Sequence, residues 1–319
     1  MGIITEEMFK NLGYANSAIS GTCMLKSCSV ALTKRGDEYI VGALMSGVSV
    51  QFKSWGDSLA FKSLRDMTLV GQIVDFVGTI GEFNGQKYIT VSSIKATENP
   101  EATIDMFMEN KYNIDAYWNG LRTQFEFNVS EKAKKIASAT LFDNEAVSSR
   151  FRVEQAASSH HDNCKGGLLA HTYKVMRVMD FILGDYPYLW ANLDGTPNQE
   201  MKDLLKLGVL FHDIGKIKEM CFGVYQPESC VTHRYLGIEM LPRDTIIAEY
   251  SEEFWLQLVS VMLQHHGEFG DDCRTLAAYL VHKCDLLESQ MTSVGQALND
   301  AVSSPAGDRI KVDGSWLSV

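Results

Sequence analysis

The sequence predicts a multidomain α-and-β protein: a small N-terminal barrel of five strands followed by an all-helical domain. Three observations lead there. The chain of 319 residues is longer than one typical unit of about 100–200 residues. Its 45% hydrophobic and 22% charged residues match an ordinary globular chain and exclude wholesale disorder, collagen-like repeats and low complexity. The hydrophobic pattern also changes near Pro100, from short alternating runs to long stretches with helical spacing.

Between Gly21 and Thr97 the runs CMLKSCSVAL, YIVGALM, VSVQFKSW, VGQIVDFVGTI and YITVSSI predict five strands, punctuated by turns at KRGDE and at Asn84-Gly85. SLAFKSLRDM, between the third and fourth strands, predicts a short helix. Three strands, a helix and two strands is the element order of an OB-fold barrel. In ENPEAT, Pro100 breaks the last strand and suits the first turn of a new helix. Helices are expected over 101–126, 130–142, 167–184, 200–211 and 252–266. The expected organisation is therefore a barrel over 1–98, a helical linker region over 99–150 packing on the next domain, a helical domain over 151–300, and a tail over 301–319. The tail offers a hairpin at Asp313-Gly314 between RIKV and SWLSV.

Net charge is −11, unevenly placed: residues 1–97 hold nine Lys/Arg against eight Asp/Glu, and the remainder twenty against thirty-two. The broad basic face that duplex wrapping needs is absent, which leaves room for a single strand in a local groove. The acidic start MGIITEEMFKNL and the lack of a long uncharged apolar run argue against export and membrane insertion. Seven cysteines without a C-x-x-C pair argue against a disulfide scaffold or zinc knuckle, so the expected compartment is a reducing cytoplasm.

The chemistry is concentrated in GVLFHDIGKIKEM, where His212 and Asp213 end an apolar helical run and Gly215 and Lys216 follow. His171, His233, His265 and His266 lie on other helical segments, and Asp285 closes the series. Neutral imidazoles with carboxylates suit borderline divalent ions such as Mn, Fe, Co, Ni or Zn, and Asp213 is the natural bridge between two of them. Two ions about 3.5–4 Å apart can hold a phosphoryl oxygen, deliver a hydroxide and stabilise a leaving oxygen. Lys216, one turn on, can meet phosphate charge.

The segments HHDNCKGGLLAHT, HDIGK, VTHRYLGIEM, QHHGEFG and HKCDLLES resemble the HD-domain metal-dependent phosphohydrolases. Over roughly residues 20–300 the chain is similar to the YhaM family of 3′→5′ exoribonucleases, in which an OB-fold domain precedes a helical HD domain. VSVQFKSWGDS and VGTIGEFNGQKYITVSSI resemble its OB part. The resemblance implies that His171, His212, Asp213 and Asp285 hold one ion. It implies that Asp213, His233 and His265 hold the second, with His266 as a further candidate for ligation or catalysis. Two departures accompany it: Thr232 and Gln264 stand where the family usually has Gly and Ser.

Candidate substrate contacts are His160, His161 and Lys165 before the Gly166-Gly167 turn, and Arg234 beside His233. In the barrel, Phe52, Trp55, Phe83 and Tyr88 with Lys53, Lys87 and Arg35 are the mixture of a single-strand groove; Lys53, Trp55, Phe83 and Lys87 are the expected contacts. The expected activity is a metal-dependent 3′→5′ exoribonuclease that uses two divalent ions, Mn foremost, and degrades single-stranded RNA, or single-stranded DNA, to nucleoside monophosphates. A phosphodiesterase or phosphohydrolase acting on a cyclic oligonucleotide or free nucleotide, a nucleic-acid-binding protein with an inactive HD domain and a di-iron oxygenase stay open as alternatives. Assembly into a homo-oligomer also stays open.

Overall fold

The computed structural model describes residues 1–157, 162–302, 309–312 and 315–318, which divide into two compact units, 1–111 and 112–319. The first contains α1 (Glu6–Lys10), β1 (Ala18–Leu32), β2 (Glu38–Ser46), β3 (Val48–Trp55), α2 (Leu59–Leu64), β4 (Ile73–Phe83) and β5 (Gln86–Ala96). The five strands close into a barrel of order β1-β2-β3-β5-β4, with β4 returning to β1. Every pairing is antiparallel except that of β3 with β5. Alternation decides the facing: on β3, Val50, Phe52 and Ser54 are buried while Gln51 and Trp55 are exposed. Phe52, Phe76, Leu44 and Ile89 fill the interior. The Ser58 side chain caps α2 by accepting from the Phe61 N–H at 3.0 Å, and the helix buries Ala60, Phe61 and Leu64.

The helix expected from residue 101 begins only at Ile114. Residues 104–107 form a single 3₁₀ turn whose Phe107 is fully buried and whose Phe107 carbonyl accepts from the Gly47 N–H at 2.8 Å. The barrel thus claims this segment, and helix propagation restarts at Asn113, whose side chain accepts from the Ala116 N–H at 3.0 Å.

The second unit is helical: α3 (Ile114–Glu126), α4 (Glu131–Ala137) running into a π turn over Ser138–Phe142, α5 (Glu145–Phe151), α6 (Gly167–Asp185), α7 (Gln199–Phe211), α8 (Lys216–Glu219), α9 (Thr232–Met240), α10 (Arg243–Glu249), α11 (Glu252–Gln264) and α12 (Leu276–Val302). Leu168, Met176, Leu205, Leu207, Leu258 and Val281 are among the side chains of its continuous apolar core. A small hairpin, β6 (Met220–Cys221) with β7 (Val224–Tyr225), interrupts the helices, a feature the sequence pattern does not predict. Its turn residues Phe222 and Gly223 both have positive φ, and the buried Glu154 carboxylate accepts from their N–H groups at 3.0 and 2.9 Å. The tail strands β8 (Arg309–Val312) and β9 (Ser315–Ser318) pair antiparallel as expected; Asp313 and Gly314 lie outside the described residues. No described helix is long and apolar enough to cross a membrane.

Lys206 is fully buried on α7 and ties it to two neighbours. Its ammonium donates to the Gln124 and Phe127 carbonyls at 2.6 and 2.8 Å, closing the C-terminus of α3, and pairs with Asp180 of α6 at 2.9 Å. Burial pulls its pKa down and Asp180 partly restores it. Lys206→Met leaves Asp180 without its cation and is expected to lower unfolding stability by about 3–5 kcal/mol in chemical denaturation.

Candidate metal centre

All seven of the expected ligands are gathered where the helices of the second unit meet. Gly166, at φ +74°, opens α6 and places His171 in its second turn, buried. His212 caps α7 with Asp213 directly after it, His233 lies in the first turn of α9, His265 caps α11 with His266 following, and Asp285 projects from α12. Helix ends serve here because a histidine at a terminus can leave the helical packing and still be held by the last carbonyls.

Asp213 divides the site. Its Oδ2 faces His171 Nε2 at 3.7 Å and His212 Nε2 at 3.5 Å, while its Oδ1 faces His233 Nε2 at 3.4 Å and His265 Nε2 at 3.6 Å. Asp285 Oδ1 completes the first group, 3.1 Å from His171 Nε2, and His266 joins the second. In each group the ligand atoms lie within 4.8 Å of one another. Asp213 Oδ1, His233 Nε2 and His265 Nε2 are buried with no hydrogen-bond partner among the described residues. Polar atoms in that condition are costly unless something else satisfies them. Three of them around one point fit a cation at the second group, and the imidazoles and carboxylate of the first group are a donor set of the same kind.

Protonation agrees. Burial pushes His212 down to about 4 and His266 to about 3, and lowers His233, so these rings are neutral and carry free lone pairs. Asp213 is held well below the carboxylate range: burial opposes its charge, but Lys216 and the surrounding histidines outweigh it. Asp285 is lowered against burial by His171. His171 is the exception, raised to about 10 because Asp285 and Glu288 overcome its burial; a proton there balances carboxylates that a cation would otherwise neutralise.

Each imidazole is fixed from behind. His212 Nδ1–H donates to the Val209 carbonyl at 2.8 Å and His265 Nδ1–H to the Met262 carbonyl at 2.9 Å. His171 Nδ1–H donates to Glu288 at 2.5 Å and His233 Nδ1–H to Glu219 at 2.9 Å. His282, which the sequence reading passed over, is buried and donates from Nδ1 to the His265 carbonyl at 2.7 Å. Glu219 and Glu288 were also missed. Their signal was present: each lies three residues after a named site residue, Lys216 and Asp285, and so on the same helix face.

The other expected residues fare variously. Lys216 donates to Asp213 Oδ2 at 2.6 Å and belongs to the centre. Lys165 is half-buried in the turn before α6, and His160 and His161 lie outside the described residues. Arg234 is engaged by Asp271 and by the Leu263 carbonyl, both at 2.7 Å, tying α9 to the segment after α11. On the barrel, Lys53 Nζ is 4.4 Å from the Tyr88 ring centroid and 5.8 Å from that of Phe83, while Trp55 stacks on Tyr39 at 5.0 Å. Lys87 donates to the Leu12 carbonyl at 2.8 Å. Phe52 is interior, so it contributes to the core and not to this face.

Residues 168–290 match the family model described as HD domain. This segment is an HD domain. Along nearly its whole length the chain is similar to proteins named 3′-5′ exoribonuclease YhaM. That of Halalkalibacterium halodurans is 24% identical over 92% of this chain and 90% of its own, and that of Bacillus subtilis 25% identical over 86% of each. Among solved structures, the SSB domain of a Synechococcus protein aligns 97% of its length to 26% of this chain at 10% identity, with a TM-score of 0.22. At that score the likeness adds nothing to the strand order already described.

Gly215 of the HD domain packs against the backbone of α9: a Cβ there would meet the His233 carbonyl oxygen at 1.9 Å and the Gly237 nitrogen at 2.5 Å. Gly215→Ala must push α9 away. It is expected to cost about 1–3 kcal/mol of stability in a thermal or chemical melt, and to weaken Mn(II) binding at the His233 side of Asp213 more than at the His171 side in an equilibrium titration.

Proposed function

We propose that the protein is a 3′→5′ exoribonuclease that works with two divalent ions, Mn foremost, and shortens single-stranded RNA, and single-stranded DNA by the same chemistry, to nucleoside monophosphates. The observation that carries the reading is the division of the two Asp213 oxygens between two histidine groups. In this reading His171, His212, Asp213 and Asp285 hold one ion, and Asp213, His233, His265 and His266 the other. Divalent ions so held supply Lewis acidity, a nucleophile at neutral pH and a clamp on a phosphate in in-line displacement.

The chain's own groups do the rest. Asp213 and Asp285 remain ionised, as ligation requires. His266 stays neutral across the physiological range, which favours a ligand role over proton donation. Lys216 keeps its charge because Asp213 outweighs burial, and with its side chain 16% exposed it is the cation available to a phosphate oxygen. Residues 1–98 act as the strand-binding domain, 99–150 as a linker region and 151–300 as the catalytic domain. On the barrel, Trp55, Phe83 and Tyr88 offer rings for stacking and Lys53 a charge for the backbone.

With Mn(II) and a 5′-labelled single-stranded RNA, the product is expected to be a ladder shortening from the 3′ end, and Asp213→Ala should lose more than about 100-fold in rate with its circular dichroism unchanged. An intact RNA beside a hydrolysed nucleotide would overturn the assignment. Trp55→Ala should weaken RNA binding by about 5- to 100-fold, corresponding to the stacking energy of one base. It should leave hydrolysis of a small phosphodiester such as bis-p-nitrophenyl phosphate unchanged.

A further inference from the structure

We infer that Glu288 and Glu219 are a pair of positioning residues that tune the two ion sites separately, Glu288 the site of His171 and Glu219 the site of His233. The inference rests on the two-ion reading above. The two halves of the centre are built alike. Each has one histidine held by a backbone carbonyl, His212 by Val209 and His265 by Met262, and one held by a carboxylate. Either acceptor fixes the tautomer and the ring's orientation, but a carboxylate, with its full charge, makes the ring the stronger electron donor through its far nitrogen. Each site therefore has its own glutamate through which its strength is tuned.

The two glutamates are themselves held differently. Glu219 spends both oxygens on one residue: Oε1 accepts from the His233 backbone N–H at 2.9 Å and Oε2 from its Nδ1–H at 2.9 Å. It thus fixes the ring and the start of α9 together. Glu288 divides its oxygens: Oε2 accepts from His171, while Oε1 accepts from Thr292 Oγ1 at 2.5 Å and pairs with Lys174 Nζ at 2.9 Å. Lys174 also reaches Asp162 at 2.9 Å, and Tyr112 donates to Asp162. Asp162, His171 and Glu288 lie close enough together to form a third ion-sized group, but the ammonium of Lys174 already bridges its two carboxylates and Glu288 engages the His171 Nδ1. That leaves Glu288 as support for His171 and not as a ligand.

The glutamates come from different helices, α8 and α12, and no hydrogen bond between the described residues joins one to the other. Neutralising one should therefore affect one ion. The test is an equilibrium titration of the chelator-stripped full chain with Mn(II), read by atomic-emission stoichiometry and by the electron paramagnetic resonance signal of a coupled Mn pair. Glu288→Gln and Glu219→Gln are each expected to keep one tight ion, to bind the other about 10- to 100-fold more weakly, and to lose the coupled signal at low Mn. The double variant should weaken both. Should Glu288→Gln fail to fold, Thr292→Val removes one hydrogen bond from Glu288 and is expected to weaken the same single ion. Two ions bound at wild-type affinity in the single variants, or both ions weakened equally by either, would overturn the inference. RNA cleavage is not the readout, so a folded, metal-binding protein that cuts no RNA would count against the proposed activity and leave this result standing.

Discussion

The helical unit is organised around one buried carboxylate. Asp213 is 3% exposed, ionised, and approached on one oxygen by His171 and His212 and on the other by His233 and His265. A charge in that position is tolerable only with compensation, and the fold supplies it from five helices. The direct neighbour is Lys216, three residues on, and Gly215 between them has no side chain to keep the backbone of α9 away. That close approach brings His233 to the opposite side of Asp213. The adjacency of His, Asp, Gly and Lys in HDIGK is thus a single local solution to holding a charge and admitting a neighbouring helix.

Compensation extends outward in layers. Glu219 and Glu288 orient histidines; behind Glu288 stands Lys174, and close to Glu219 along the chain the β6–β7 hairpin is fixed by Glu154 with Arg150. Polar groups around the centre are largely paired with each other, whereas Asp213 Oδ1, His233 Nε2 and His265 Nε2, unpaired among the described residues, converge on one point. That contrast distinguishes a site prepared for cations from a polar core that has satisfied itself.

Much of this was legible in the sequence. The barrel strands announced themselves by alternation and turn residues, so VSVQFKSW became β3 without change, and the six side chains named with Asp213 lie grouped around it. What was not legible depends on tertiary neighbours. The segment 101–113 has helical spacing, but burial of Phe107 in the barrel unit overrides it. The turn at Phe222-Gly223 has no hairpin signature other than its glycine; a buried glutamate about seventy residues earlier holds it. Glu219 and Glu288 look like ordinary helix-surface acids until the fold shows which rings they face. Arg234 looked like a phosphate contact because it adjoins His233, yet the neighbouring helix position points it toward Asp271.

Closure of the barrel has a further consequence. Because β4 returns to β1 and β3 meets β5, the five-stranded sheet has little free edge, and its backbone donors and acceptors are largely spent on one another. A ligand on this wall cannot be gripped by adding itself as another strand. Recognition must run through side chains alone, and those on the outer wall near β3 are flat rings and a flexible ammonium. Such groups engage any base by its face and are indifferent to its edge, so a strand held on this wall, as proposed, would pass with its sequence unread.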